Sequence, residues 1–86
     1  MFDQMKQMKQ AMDIQNALKQ EKITVERDGV KVVMNGAFEI EDISLNKDIS
    51  VVENESIIKS CLIEANKKLQ MKLMELAPKL KSKFGL

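Results

Sequence analysis

The sequence contains no histidine, tryptophan or tyrosine, and only one cysteine, one proline and three glycines. Without histidine there is no imidazole for acid–base chemistry near neutral pH or for metal ligation. The single cysteine, Cys61, can build neither an intrachain disulfide nor a thiolate zinc site, and on an apolar helical stretch it reads as a small buried hydrophobe. Neither a GxGxxG nor a GxxxxGK-Ser/Thr loop occurs, so the common phosphate cradles are missing. The pairs Glu39/Glu41 and Glu41/Asp42 fall on a strand pattern, where they read as solvated or edge-protecting charges rather than a catalytic dyad. The expectation is a protein that is not an enzyme, with no catalytic residue, metal, cofactor or small-molecule substrate. No apolar run approaches the roughly 18 residues of a membrane span. The opening MFDQMKQMKQ lacks the apolar core of a signal peptide, so a cytoplasmic location without a membrane partner is expected.

What remains is rich in aliphatic residues, methionine and charge. At 86 residues the chain fits one small domain, residues 1–86, whose core must come from Ile, Val, Leu and seven Met. A fold of this size buries a modest fraction of its surface, which favours pairing with a second copy. The net charge is only +1, but it is unevenly spread. Residues 23–58 carry Arg27, Lys31 and Lys47 against eight acids, whereas residues 65–86 carry six lysines against Glu75 alone. An acidic middle and a basic end suggest an anionic partner.

Residues 30–45, VKVVMNGAFEIEDISL, organise the chain as a strand, an Asn-Gly turn and a returning strand. Before them, residues 2–22 lack Gly, Pro, Val and Thr, a strong helix composition, with Asp3 as N-cap or first-turn acid. Met1, Met5, Met8 and Met12 form a stripe at helical spacing that Ala11, Ile14 and Leu18 continue as it drifts round the helix, expected to be a core face against the sheet or another helix. Residues 23–27 alternate and are β-branched, and Asp28-Gly29 then signals a two-residue hairpin that pairs Val25 with Val32 and Ile23 with Met34. At Asn35-Gly36 two registers are open. A two-residue loop pairs Val33 with Phe38 and throws Phe38 and Ile40 onto the face opposite Val32, while a three-residue loop returns them to it. Ile43 and Leu45 are out of phase with Phe38 and Ile40, which calls for a bulge near Glu41-Asp42 or for apolar cover on both faces of the sheet; partial cover of both faces, as a dimer would provide, is the favoured expectation.

Ser50 with Glu53 fits a capping box, Asn54 is an alternative cap, and a helix is expected from about 55 to 77. Its seam is Ile58, Leu62, Ala65, Leu69, Leu73, Leu76 and Leu80, with Ile63, Met71 and Met74 on the other side. Pro78 should end or kink this helix near Leu76-Ala77, or start a further turn, and Gly85 reads as a stop. The fold class is thus α+β: an N-terminal helix, a three-stranded antiparallel meander and a long C-terminal helix. Lys67, Lys68 and Lys72 lie within about two turns, and Lys79, Lys81 and Lys83 follow. Such clusters hold phosphates by charge and carry little sequence information, and the lack of interleaved aromatics argues against stacking on single strands.

Together these pieces resemble a known family. A Met/Gln/Lys-rich opening helix, MFDQMKQMKQAM, leads into Val30, Val32, Met34 and Asn35-Gly36, then into a strand ending on Ile43 and Leu45. The last helix carries CLIEANKKLQMKLMEL with Ala65-Asn66 at its centre. This looks like the YbaB/EbfC family of bacterial nucleoid-associated proteins. The resemblance implies a tweezer-like homodimer with joined sheets and projecting helices, with Val30, Val32, Met34, Phe38 and Ile40 at the interface. It also implies duplex DNA as partner and a nucleoid location. Lys6, Lys9, Lys67, Lys68 and Lys72 are the DNA-contacting positions by that likeness, and Lys79, Lys81 and Lys83 join them on charge. The chain departs from the family in its shortness, in its reduced glycine run before the first Val-x-Val, in Lys68 where Ala is common, and in its terminal KSKFGL. A different class of reading is a protein-interaction module, with the Met-rich first helix and the Ile63/Met71/Met74 strip as docking faces.

Overall fold

The computed structural model describes residues 2–85. Helix α1 (Phe2–Gln20) leads into strands β1 (Lys22–Arg27), β2 (Val30–Asn35) and β3 (Ile40–Ser44), and helix α2 (Val51–Phe84) closes the chain. The strands form one antiparallel sheet in the order β1-β2-β3. The expected α+β architecture is present. Asp3 lies in the first turn of α1, and Met1 falls outside the described residues.

The first hairpin follows directly from its turn residues. Asp28 and Gly29 both take positive φ, 51° and 82°, as a two-residue loop of the twist-matched kind requires. Val25 pairs with Val32 and Ile23 with Met34, as the alternation demands. The second hairpin takes the three-residue option. Asn35 N–H donates to the Glu39 carbonyl and Phe38 N–H to the Asn35 carbonyl, enclosing Gly36, Ala37 and Phe38. Phe38 sits in the left-handed region at φ 62°, the place such loops usually give to glycine. Met34 then pairs with Ile40 but Val33 with Asp42, so Glu41 is the extra residue of a bulge. That bulge restores the phase and puts Ile40 and Ile43 on the same face as Met34 and Val32.

Helix α2 lies across that face over β1 and β2. Val25, Val30, Val32 and Met34 meet Cys61, Ala65 and Leu69 in the buried core, with Ile23, Ile57, Ile58, Leu62 and Leu73 packed round it. The opposite face of the sheet is polar, carrying Lys22–Glu41 and Lys31–Asp42 ion pairs at 3.1 and 3.9 Å. The expected apolar cover on both faces is therefore absent from the protomer. One face is cored by α2, and the other is a charged lattice worth little to stability.

Helix α2 begins earlier than expected, at Val51. Ser50 caps it through an Oγ that accepts from Glu53 N–H at 3.1 Å. Asn54, the alternative cap, serves instead inside the helix. Its buried amide accepts from Asn46 N–H and donates to the carbonyls of Asn46 and Ser50, while the Asn46 side chain reaches the Asp28 carbonyl at 2.8 Å. This clasp ties the β1–β2 turn to the start of α2. Pro78 does not end the helix, which runs through to Phe84 and stops at Gly85 in the left-handed conformation. A helix-interior proline forfeits one backbone bond and crowds the preceding turn. The flanking Leu76 and Leu80 are half-buried and face Ala17 and Leu18 of α1 across a cleft.

The methionine stripe is the clearest correction. Met5, Met8 and Met12 are 62–69% exposed and face neither the sheet nor α2. Helix α1 touches the rest of the chain mainly through its last turns, where Ile14 and Leu18 of the drifting stripe are half-buried together with Ala17, as expected of that part, while Ala11 is exposed.

Candidate functional site

Two features combine to form the candidate site: the end of α2 beyond the sheet, and the joint that fixes α1 beside it. With 34 residues, α2 is about 50 Å long at 1.5 Å per residue, and the molecule extends 56 × 23 × 14 Å. The buried positions of α2 stop at Leu69, so its last turns project as an arm.

A continuous helix fixes how the lysines are shared out. Lys68, Lys72, Lys79 and Lys83 follow spacings of four, seven and four and lie along the side that carries Leu69 and Leu76. Lys67 and Lys81 lie on the outer side with Ile63 and Met74. The cluster expected from sequence is thus two tracks. Lys72 is committed to Glu21 at the end of α1, 3.1 Å away. Lys79 and Lys83 flank a cleft of about 270 Å³ between the helices, floored by Ala17, Leu18, Leu76 and Leu80. Lys83 also lies over the Phe84 ring at 5.8 Å. Lys6 and Lys9 stand exposed on α1. Among the described residues, Lys6, Lys9, Lys67, Lys68, Lys79, Lys81 and Lys83 carry no ion pair.

The joint was not legible in the sequence. Gly36 N–H donates to the carbonyls of both Leu18 and Glu21, at 2.9 Å each, closing the C-terminal end of α1 against the β2–β3 loop. A Cβ at Gly36 would stand 2.3 Å from the Leu18 carbonyl oxygen. Lys19 approaches Glu39 at 3.9 Å and adds a weak charge contact across the same joint. An Asn-Gly pair gave the turn signal, but no pattern announces that a helix end will rest on the glycine.

The proposed interface residues divide. Val30, Val32 and Met34 are buried in the protomer's own core, taken up by α2. Phe38 and Ile40 are about half exposed, and they are joined by Ile43 and Leu45, which the interface expectation did not include. Helix α2 covers β1 and β2 and leaves β3 open, so the exposed side chains lie along a strand with a free backbone edge.

Among the described residues no group of three or more His, Cys, Asp or Glu could hold a metal, and no helix is long and apolar enough to cross a membrane. Cys61 is fully buried, and desolvation raises its thiol pKa, partly opposed by the Arg27 charge, with Glu64 and Asp28 pushing up. The expected result is a native thiol that reacts with an aromatic disulfide reagent at least about a thousandfold more slowly than in denaturant. Rapid labelling of the folded protein would show that the core around Cys61 opens readily.

No curated protein and no solved structure gave a match. A family model did, described as the YbaB/EbfC DNA-binding family and matching residues 1–84. With that match spanning nearly the whole chain, the protein belongs to the YbaB/EbfC DNA-binding family.

Proposed function

We propose that this protein is a nucleoid-associated, dimeric DNA-binding protein that grips duplex DNA through lysine–phosphate contacts on its helical arms, with weak sequence preference. The observation that carries the reading is the end of α2. Lys79, Lys81 and Lys83 project past the sheet with no acid after Glu75 and no ion pair among the described residues. Lysine is a mobile point charge that suits phosphate oxygens, and the two helices carry no Arg, the commonest reader of guanine edges. Lys6, Lys9, Lys67 and Lys68 extend the cationic surface, and Lys72 contributes after its pairing with Glu21 is met.

The second copy would join along β3, with Phe38 and Ile40 at the contact and Val30, Val32 and Met34 behind them stiffening the sheet. Phe38 supports this assignment, because a half-exposed aromatic held at positive φ is costly to the monomer on both counts. The test is a salt titration of binding to a generic duplex on material whose oligomeric state has been measured. Affinity should fall linearly with log salt concentration, with a slope near −0.9 for each phosphate engaged. Binding that is flat with salt, or absent at low salt, refutes the mechanism.

A protein-docking role has its own supporting observation in the bare Met5, Met8 and Met12 face and the exposed Ile63, Met71 and Met74. Replacing Lys67, Lys68 and Lys72 with Glu separates the two readings: DNA binding falls under the first, and partner binding survives under the second.

A further inference from the structure

The last residue of β2 is an asparagine whose side chain is arranged for chemistry and whose attacker is masked. Asn35 Oδ1 accepts from the backbone N–H groups of Ala37 at 2.9 Å and Glu39 at 3.1 Å, and Asn35 Nδ2 donates to Glu39 Oε1 at 3.1 Å. Two N–H donors on one carbonyl oxygen polarise Cγ and stand ready for the oxyanion that forms when a nucleophile adds. The intrinsic nucleophile toward an asparagine Cγ is the next backbone nitrogen, and it attacks most readily when the next residue is glycine, which has no side chain to obstruct the ring. Here that nitrogen belongs to Gly36. Its N–H is held by the Leu18 and Glu21 carbonyls, and Asn35 and Gly36 are both buried. The mask is therefore not part of the loop. It is the last turn of α1, through Leu18, together with Glu21, the residue that joins α1 to β1, and α1 is the element least packed on the rest of the chain.

We propose that Asn35 is a latent deamidation site that the end of α1 and its Glu21 connection to β1 keep closed, and that opening of this joint over Gly36 exposes it. Once the Leu18 and Glu21 carbonyls leave, the Gly36 nitrogen gives its proton to a solvent base and bonds to Asn35 Cγ. The Cγ–Nδ2 bond breaks and the nitrogen departs as ammonia after taking up a proton, leaving a five-membered succinimide. Water then opens that ring at either carbonyl to give aspartate or isoaspartate, with no change of oxidation state. The new carboxylate faces Glu39, to which Asn35 Nδ2 had donated. Like charges replace a hydrogen bond, and isoaspartate adds a backbone carbon to a loop already closed by Asn35 N–H on the Glu39 carbonyl. The seat for α1 is spoiled, so the change runs one way. This inference rests on the joint alone and is independent of the DNA reading.

The test follows two rates in the full chain at mildly alkaline pH. Peptide mapping by mass spectrometry, with separation of isoaspartate, gives the conversion of Asn35, and hydrogen exchange gives the opening of the Gly36 amide. The conditions are native buffer, a graded sub-denaturing urea series, full denaturation, and the variant Glu21→Gln, which removes the Lys72 pair but keeps the backbone acceptor. Conversion should be at least about tenfold slower in the native chain than in the denatured one. It should rise in step with Gly36 exchange across the series, and in Glu21→Gln by the same factor as Gly36 exchange changes there. Asn16, Asn46 and Asn66, each followed by a residue with a side chain, serve as internal references that stay slow even when unfolded. Conversion at the denatured rate in the native protein overturns the proposal. So does conversion that fails to track the Gly36 amide.

Discussion

Replacing Lys79, Lys81 and Lys83 together with Glu should lower affinity for a generic duplex on the order of a hundredfold at physiological salt. It should also reduce the slope of log affinity against log salt by roughly 3 for each arm engaged. The three residues supply the cationic surface of the projecting helix end, and no acid follows Glu75 to offset them. The substitution has one structural side effect. Lys81 and Lys83 lie in the last turn of α2, where cations complement the partial negative charge of the helix end. Acids placed there should fray the terminus by about 0.3–1 kcal/mol each. A second variant with Gln at all three positions removes most of that side effect and keeps the loss of phosphate contacts. Both variants should weaken binding, the Glu form more, with thermal unfolding little changed for the Gln form. Unchanged affinity and salt slope in both would eliminate this arm as a DNA contact and shift weight to the exposed methionine face.

Parts of this arrangement were legible in the sequence because they are local. Asp28-Gly29 dictates its own turn, and the register of β1 with β2 follows from it. The α2 seam is a periodicity, and Cys61 falls inside it as a small apolar residue. The phase error between Ile40 and Ile43 was visible, but apolar cover on both faces would have answered it as well, and the structure resolves it with one extra residue at Glu41. What was not legible concerns which of several apolar surfaces meets which. Val30, Val32 and Met34 present the same alternating pattern whether their cover is a helix of the same chain or a second subunit, and the cover proves to be α2. Met5, Met8 and Met12 have the spacing of a core stripe, but the core is already filled from α2, so they stay bare. The lysines were countable from the start. Their division into two tracks, and the loss of Lys72 to Glu21, depend on a helix running unbroken through Pro78 and on where α1 comes to rest.

That resting place makes Gly36→Ala the most informative single change to the fold. The requirement for glycine here does not come from φ, which is not in the left-handed region at this position. It comes from space. The added methyl would sit 2.3 Å from the Leu18 carbonyl oxygen and 3.0 Å from its carbon, and both are backbone atoms of a helix end that cannot rotate aside. Helix α1 must therefore withdraw. Withdrawal lengthens both Gly36 N–H bonds and leaves the Leu18 carbonyl with the Glu21 N–H alone. Overpacking against a backbone and the lost hydrogen bonds together should cost about 2–4 kcal/mol. For a domain of this size that is a large share of a total near 5–10 kcal/mol, and it lowers the unfolding midpoint by roughly 10–25 °C. The loss should be confined at first to the joint: amide protection falls at Gly36 and in the last turns of α1, while the core round Val32 and Leu69 stays protected until global unfolding. A Gly36→Ala protein with wild-type stability and unchanged protection would mean that α1 does not rest on the β2–β3 loop in solution. The geometry of the arm would then have to be set from elsewhere.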